Sequence, residues 1–186
     1  ATLETQTAGA LAWSLRFRNR DGGFYWHSEP AGGNQYKAFH WPGSSIADDY
    51  DEIPFTKLMR DQAFAICGLS VPPLSTPAPP KLLPIADVSA LSWQGSVGAN
   101  HYVVERAAKA NGPWQTIAEH ADESFTQYRP QFSDESAPKG SWFYRVCARN
   151  SAGLSRPSNV VGPVKVTHAT LVDELADFSK VQSHTG

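Results

Sequence analysis

No apolar run in this 186-residue sequence approaches the roughly 20 residues that cross a bilayer, so no membrane-spanning helix is expected. Charge is sparse too. Lysine and arginine number 16 against 18 aspartates and glutamates, a formal net charge of −2 with pI near 6.3. That balance gives no electrostatic footprint for a polyanion and argues against nucleic acid as a partner. Cysteine is limited to Cys67 and Cys147, far apart in the chain, which leaves a disulfide open without favouring one and does not fix the compartment. The amino terminus has neither an initiator Met nor a signal-peptide pattern, so the chain is expected to begin inside a longer protein or after processing.

What is present suits a folded chain. Hydrophobic residues make up 41% and aromatics 11%, with only 18% charged, which is enough apolar material for a core. The length fits one large or two small domains. A boundary is set by VPPLSTPAPP at residues 71–80, whose prolines fix φ, remove amide donors and favour extended geometry; it reads as a semi-rigid linker.

Before the linker, at residues 1–70, aromatics are dense: Trp13, Tyr25, Trp26, Tyr36, Phe39, Trp41 and Tyr50. The compact run GALAWSLRF, Gly9 to Phe17, reads as a strand buried on both faces of a parallel sheet. From Pro54 to Cys67, Phe55, Leu58, Met59, Ala63 and Ile66 recur at helical spacing. Asp51 and Glu52 lie at the positive end of the helix dipole, and Gly68 supplies a left-handed cap. Strand, long aromatic loop and helix make one βα unit, which cannot close a core alone.

After the linker, at residues 81–166, strand candidates fall at Ala90–Gln94, His101–Ala107, Gln115–Ala121, Thr126–Arg129, Ser141–Asn150 and Ser158–Val166, separated by turn residues as in an antiparallel sandwich. Trp142, Tyr144, Val146 and Ala148 alternate toward one face; Phe143, Arg145, Cys147 and Arg149 point the other way.

These residues carry two resemblances. LSW with Trp93, HYVVER with Tyr102, and FYRVCARNSAGLSRPSN from Phe143 to Asn159 resemble the strand signatures of a fibronectin type III domain. Trp142 falls where that family often places its corner tyrosine, which implies that the corner hydroxyl bond is replaced or lost. GALAWSLRFRNRDGGFYWHSE and IPFTKLMRDQAFAICGL resemble the eighth strand, loop and helix of a family 5-like glycoside hydrolase barrel of the endo-mannanase and cellulase type. The implied fold is mainly β, an immunoglobulin-like fibronectin type III sandwich preceded by the last strand and helix of a (β/α)8 barrel. Residues 167–186 resemble the start of a further, truncated domain, although Leu171 to Phe178 also suits a short helix.

The glycosidase resemblance implies a secreted or periplasmic parent enzyme that cuts β-linked mannan or glucan with retention. Its two catalytic carboxylates come from strands absent here, so the chain holds no catalytic residue and should be inactive alone. Trp13 matches the tryptophan that floors the cleavage subsite, and an aromatic face suits the C–H face of a pyranose. Arg16, Asn19, Tyr25, Trp26 and His27 are candidates to line the same cleft, with Arg18, Asp21 and Glu29 close by; each also reads as ordinary loop packing. His27 and His40 with Asp48, Asp49 and Asp51 match no standard metal-ligand spacing, so neither metal nor cofactor is expected. Rival readings are a non-enzymatic carbohydrate-binding module built on the aromatic loop, or a protein-binding module built on the sandwich.

Overall fold

The computed structural model describes Gly22 and residues 26–28, 35–37, 39–43, 51–124 and 130–167. Two short strands, β1 (Trp26–Ser28) and β2 (Gln35–Lys37), pair antiparallel within the stretch expected to be a long loop. The proposed barrel strand from Gly9 to Phe17, the strand Thr126–Arg129 and the tail from residue 168 lie outside the described residues.

Helix α1 runs Glu52–Ile66, beginning two residues earlier than the sequence pattern suggests. Asp51 caps it from the left-handed region at φ 46°, where aspartate is better tolerated than most residues. Glu52 is not a solvated dipole partner: it is 2% exposed and accepts the His40 amide at 2.8 Å, with His40 Nδ1 at 3.1 Å. At the other end Gly68 adopts φ 66° and donates to Ala65 O, the anticipated left-handed stop. The apolar stripe is another matter. Leu58 (51% exposed), Met59 (47%) and Ile66 (74%) are open, so this part of the apolar stripe has no cover among the described residues. Periodicity reveals an apolar face but not what covers it.

Residues 81–166 form a two-layer sandwich. In one layer β3 (Lys81–Leu82) pairs with β4 (Trp93–Gln94), and an antiparallel bridge joins Leu91 to Phe132. The other layer is built on β7 (Gly140–Asn150). On one side of it lie β5 (His101–Ala107) and then the edge strand β6 (Gln115–Ala121). On the other side β8 (Gly153–Leu154) and β9 (Val161–Val166) each pair with part of β7. Leu82, Leu91 and Trp93 from the first layer meet Tyr102, Val104, Tyr144, Val146, Ala148 and Val164 from the second. Period-two alternation thus sets the inner face of β7 as anticipated, except that Trp142 is only partly buried. Cys147, expected on the outer face, is 3% exposed, whereas Phe143, Arg145 and Arg149 on that face are partly exposed.

The corner-tyrosine expectation needs correction by two residues. Tyr144, fully buried, donates its hydroxyl to Asp134 Oδ2 at 2.9 Å, so a hydroxyl anchor survives with a side-chain acceptor. Asp134 also takes Arg106 Nη1 at 2.8 Å, and Ser136 Oγ donates to it at 2.7 Å.

The proline-rich stretch packs onto the sandwich. Pro77 and Pro80 are buried, and the carbonyls of Ser75 and Ala78 accept from Asn150 Nδ2 (2.8 Å) and Ser96 Oγ (2.6 Å). Prolines leave carbonyls without strand partners, and side chains of the sandwich supply the donors. Arg60 of α1 donates to Pro72 O, which ties the helix to the same stretch.

Candidate functional site

Trp13, Arg16, Asn19 and Tyr25 lie outside the described residues. Trp26 and His27 stand on β1 opposite Lys37 and Tyr36, with their side chains outside the described structure. The carbohydrate cleft is therefore not assembled among the described residues. One neighbouring residue reaches the sandwich: Gly22 is buried where a Cβ would lie 2.9 Å from Gln131 Oε1 and 3.1 Å from Trp93 O, so the backbone approaches that layer as only glycine allows.

Among the described residues, a groove of about 370 Å³ lies between residues 39–41 and α1, lined by Phe39, Trp41, Phe55, Thr56, Met59, Arg60 and Ala63. Phe39 and Phe55 meet at 4.8 Å between ring centroids, and the Arg60 guanidinium sits 5.0 Å above Trp41 and 5.5 Å from Phe64. Thr56 closes the floor by donating to Glu52 O at 2.8 Å. The lining carries no carboxylate, so this groove has neither of the groups that glycoside hydrolysis requires. Arg60 was not singled out from sequence, because an arginine on an apolar helix reads as a solvated face; its stacking comes from Trp41, nineteen residues upstream.

The three sandwich tryptophans are engaged. Trp93 is fully buried and tilts against Tyr102 at 5.2 Å. Arg106 covers Trp142 at 4.8 Å, and Arg145 covers Trp114 at 4.4 Å while donating from Nε to Glu105 Oε2 at 2.6 Å. Each stacked guanidinium occupies one face of its indole, where a sugar would otherwise stack. Below Trp93, Tyr102 donates its hydroxyl to Glu123 Oε1 at 2.5 Å and accepts the Ser96 amide at 2.9 Å, while Gln131 Oε1 accepts the Trp93 amide. These groups hold the layers together, with no reacting arrangement among them. No set of three or more His, Cys, Asp or Glu side chains gathers around a metal-sized space among the described residues.

Both cysteines are free. Burial, helped by Glu105 nearby, pushes the Cys147 thiol up to about 11 despite Arg145, whereas Cys67 is exposed. Reaction with a disulfide reagent at pH 8 should therefore titrate one thiol within minutes and release the second only in denaturant. Two fast thiols would contradict this packing.

Strand order decides the fold: a β3–β4 layer bridged at Leu91 to Phe132 faces a layer running β6, β5, β7 and then β8 and β9. The sandwich is fibronectin type III-like. No family model matches the chain. Roundabout homolog 1 of Homo sapiens is 28% identical over 135 residues, 64% of this chain, and Roundabout homolog 2 of Homo sapiens is 29% identical over 119 residues, 59% of this chain. The chain spans only 8% of the length of these relatives. Among solved structures, titin kinase with its flanking domains matches at 23% identity and TM-score 0.36, over 55% of this chain and 19% of that one. An Fn3-like protein from Clostridium thermocellum matches at 23% identity and TM-score 0.32, over 50% of this chain and 97% of that one.

Proposed function

We propose that the chain acts as a non-enzymatic module of a larger extracellular protein, in which the fibronectin type III-like sandwich is a spacer that presents protein-facing surfaces. The observation that carries this reading is the occupancy of the sandwich tryptophans: one is buried and two lie under arginines. A guanidinium on an indole leaves a charged, hydrogen-bonding surface suited to a protein partner rather than a platform for pyranose rings. Titration of the whole chain with manno- and cello-oligosaccharides to millimolar concentration should give no saturable heat. A saturable isotherm that persists on replacing Trp26 and Trp41 but is lost on replacing Trp114 and Trp142 would overturn it.

A second reading is favoured by the open apolar stripe of α1, which suits a helix whose covering layer lies elsewhere in a longer polypeptide. On this reading the parent is a secreted retaining glycoside hydrolase acting on β-mannan or β-glucan. Trp13, Arg16, Asn19, Tyr25, Trp26 and His27 then line its cleft, and the carboxylates come from outside this chain. The long reading frame should hydrolyse mannan or cellulose, and the present chain neither. A long form without activity on either polymer counts against this second reading and leaves the first in place.

A further inference from the structure

Two histidines meet across the edge of the larger sheet. His101 opens β5 and His120 lies near the end of β6, with ring centroids 4.6 Å apart at an interplanar angle of 46°. On the other flank Arg149 of β7 stands directly opposite His101 in the ladder. His101 Nε2 and Arg149 Nε are both buried and without a hydrogen-bond partner. Among the described residues, the charged and titratable groups facing His101 are His120 and Asp122 from the β6 side and Arg149 from the β7 side, so one carboxylate stands among two histidines and an arginine.

The two flanks differ in strength. Strand β5 pairs with β7 in unbroken register over seven residues. Its pairing with β6 is interrupted by register shifts between Tyr102 and Val104 and again between Val104 and Glu105. Strand β6 is also the sheet edge, with side chains exposed or half-buried along its length. Irregular edge pairings open at lower free energy than central ones.

We infer that the His101–His120 contact is a proton-sensitive latch that holds β6 on β5 while the His101 ring is neutral and releases this edge on acidification. Burial first, and then His120 and Arg149, keep the His101 imidazole below its usual value, while Asp122 opposes them weakly. The closed edge therefore binds fewer protons than the opened one. Latch stability is fully present above the open-state value of about 6.5 and declines as the pH falls through it. The proton taken up by His101 adds a positive charge beside Arg149, and separation of the strands lets water solvate the imidazolium.

The test is amide hydrogen exchange on the whole chain between pH 7.5 and 5.0, expressed as protection factors corrected for intrinsic rates, with β7 amides as internal reference. Protection within Gln115–Ala121 should fall by about fivefold or more relative to β7 over that range. His101→Phe keeps a ring in contact without a titrating nitrogen and should abolish the difference; His101→Asn provides the same readout should the phenylalanine perturb folding, and His120→Phe, which leaves burial and Arg149 in place, should only reduce it. Asp122→Asn removes the single opposing carboxylate and should deepen the response. Parallel loss of protection in β6 and β7, or an unchanged response in both His101 variants, would overturn the latch.

Discussion

Replacing Asp134 by alanine is expected to destabilise the sandwich by about 3–5 kcal/mol, the usual result of removing one partner from a buried ion pair. Arg106 would be left at 6% exposure without its carboxylate, and its Nε already lacks a partner. The Tyr144 hydroxyl would lose its acceptor as well. Against a typical domain stability of about 5–15 kcal/mol, such a loss brings the fold near its threshold. Tyr144→Phe removes only the hydroxyl and should cost about 1–2 kcal/mol. The double change Arg106→Met with Asp134→Leu should recover much of the loss, because two apolar side chains need no mutual neutralisation. Denaturant unfolding followed by tryptophan fluorescence measures all three. A loss below about 1 kcal/mol for Asp134→Ala would mean that water reaches Arg106 in solution.

Trp93→Ala should have a similar effect, about 3–5 kcal/mol, through the cavity left in a fully packed core. The ring is 0% exposed, touches Tyr102 and stands where the two layers meet. Trp93→Phe should cost distinctly less. The Trp93 indole nitrogen is buried without an acceptor, so phenylalanine gives up apolar volume but also removes an unsatisfied donor. Equal losses for the two substitutions would show that the indole N–H has a partner in solution.

The strands bounded by clear turn residues were the legible part of the sequence. β5 and β6 fall on the residues read from their patterns, and β7 starts one residue early at Gly140. The last strand begins at Val161 rather than Ser158 because serines take over the ladder: Ser155 Oγ accepts the Ala148 amide at 2.9 Å and Ser158 Oγ accepts the Val146 amide at 3.0 Å. A hydroxyl that mimics a strand carbonyl has no period to detect. The buried polar network was equally hidden, since Glu123, Gln131 and Asp134 sit between strands and look like ordinary loop residues until the layers close. Of the candidate cleft, only the β1 backbone at Trp26 and His27 is placed. The helix over α1 was legible from spacing and caps; its burial was not, because an amphipathic pattern names the face to be covered and leaves the cover unnamed.

Asn150 at the end of β7 grips both Ser75 O and Gly98 O, while Asn159 holds Leu82 by a pair of 3.0 Å hydrogen bonds, one to its carbonyl and one from its amide. Strand β3 is only two residues long and would otherwise peel from its layer with little resistance. Through these two side chains the proline-rich stretch is fastened to β7, the strand paired on both sides, and β3 to the segment that leads into β9. The amino-terminal edge of the sandwich is thus sewn on by side-chain amides where its own backbone pairing is too short to hold it.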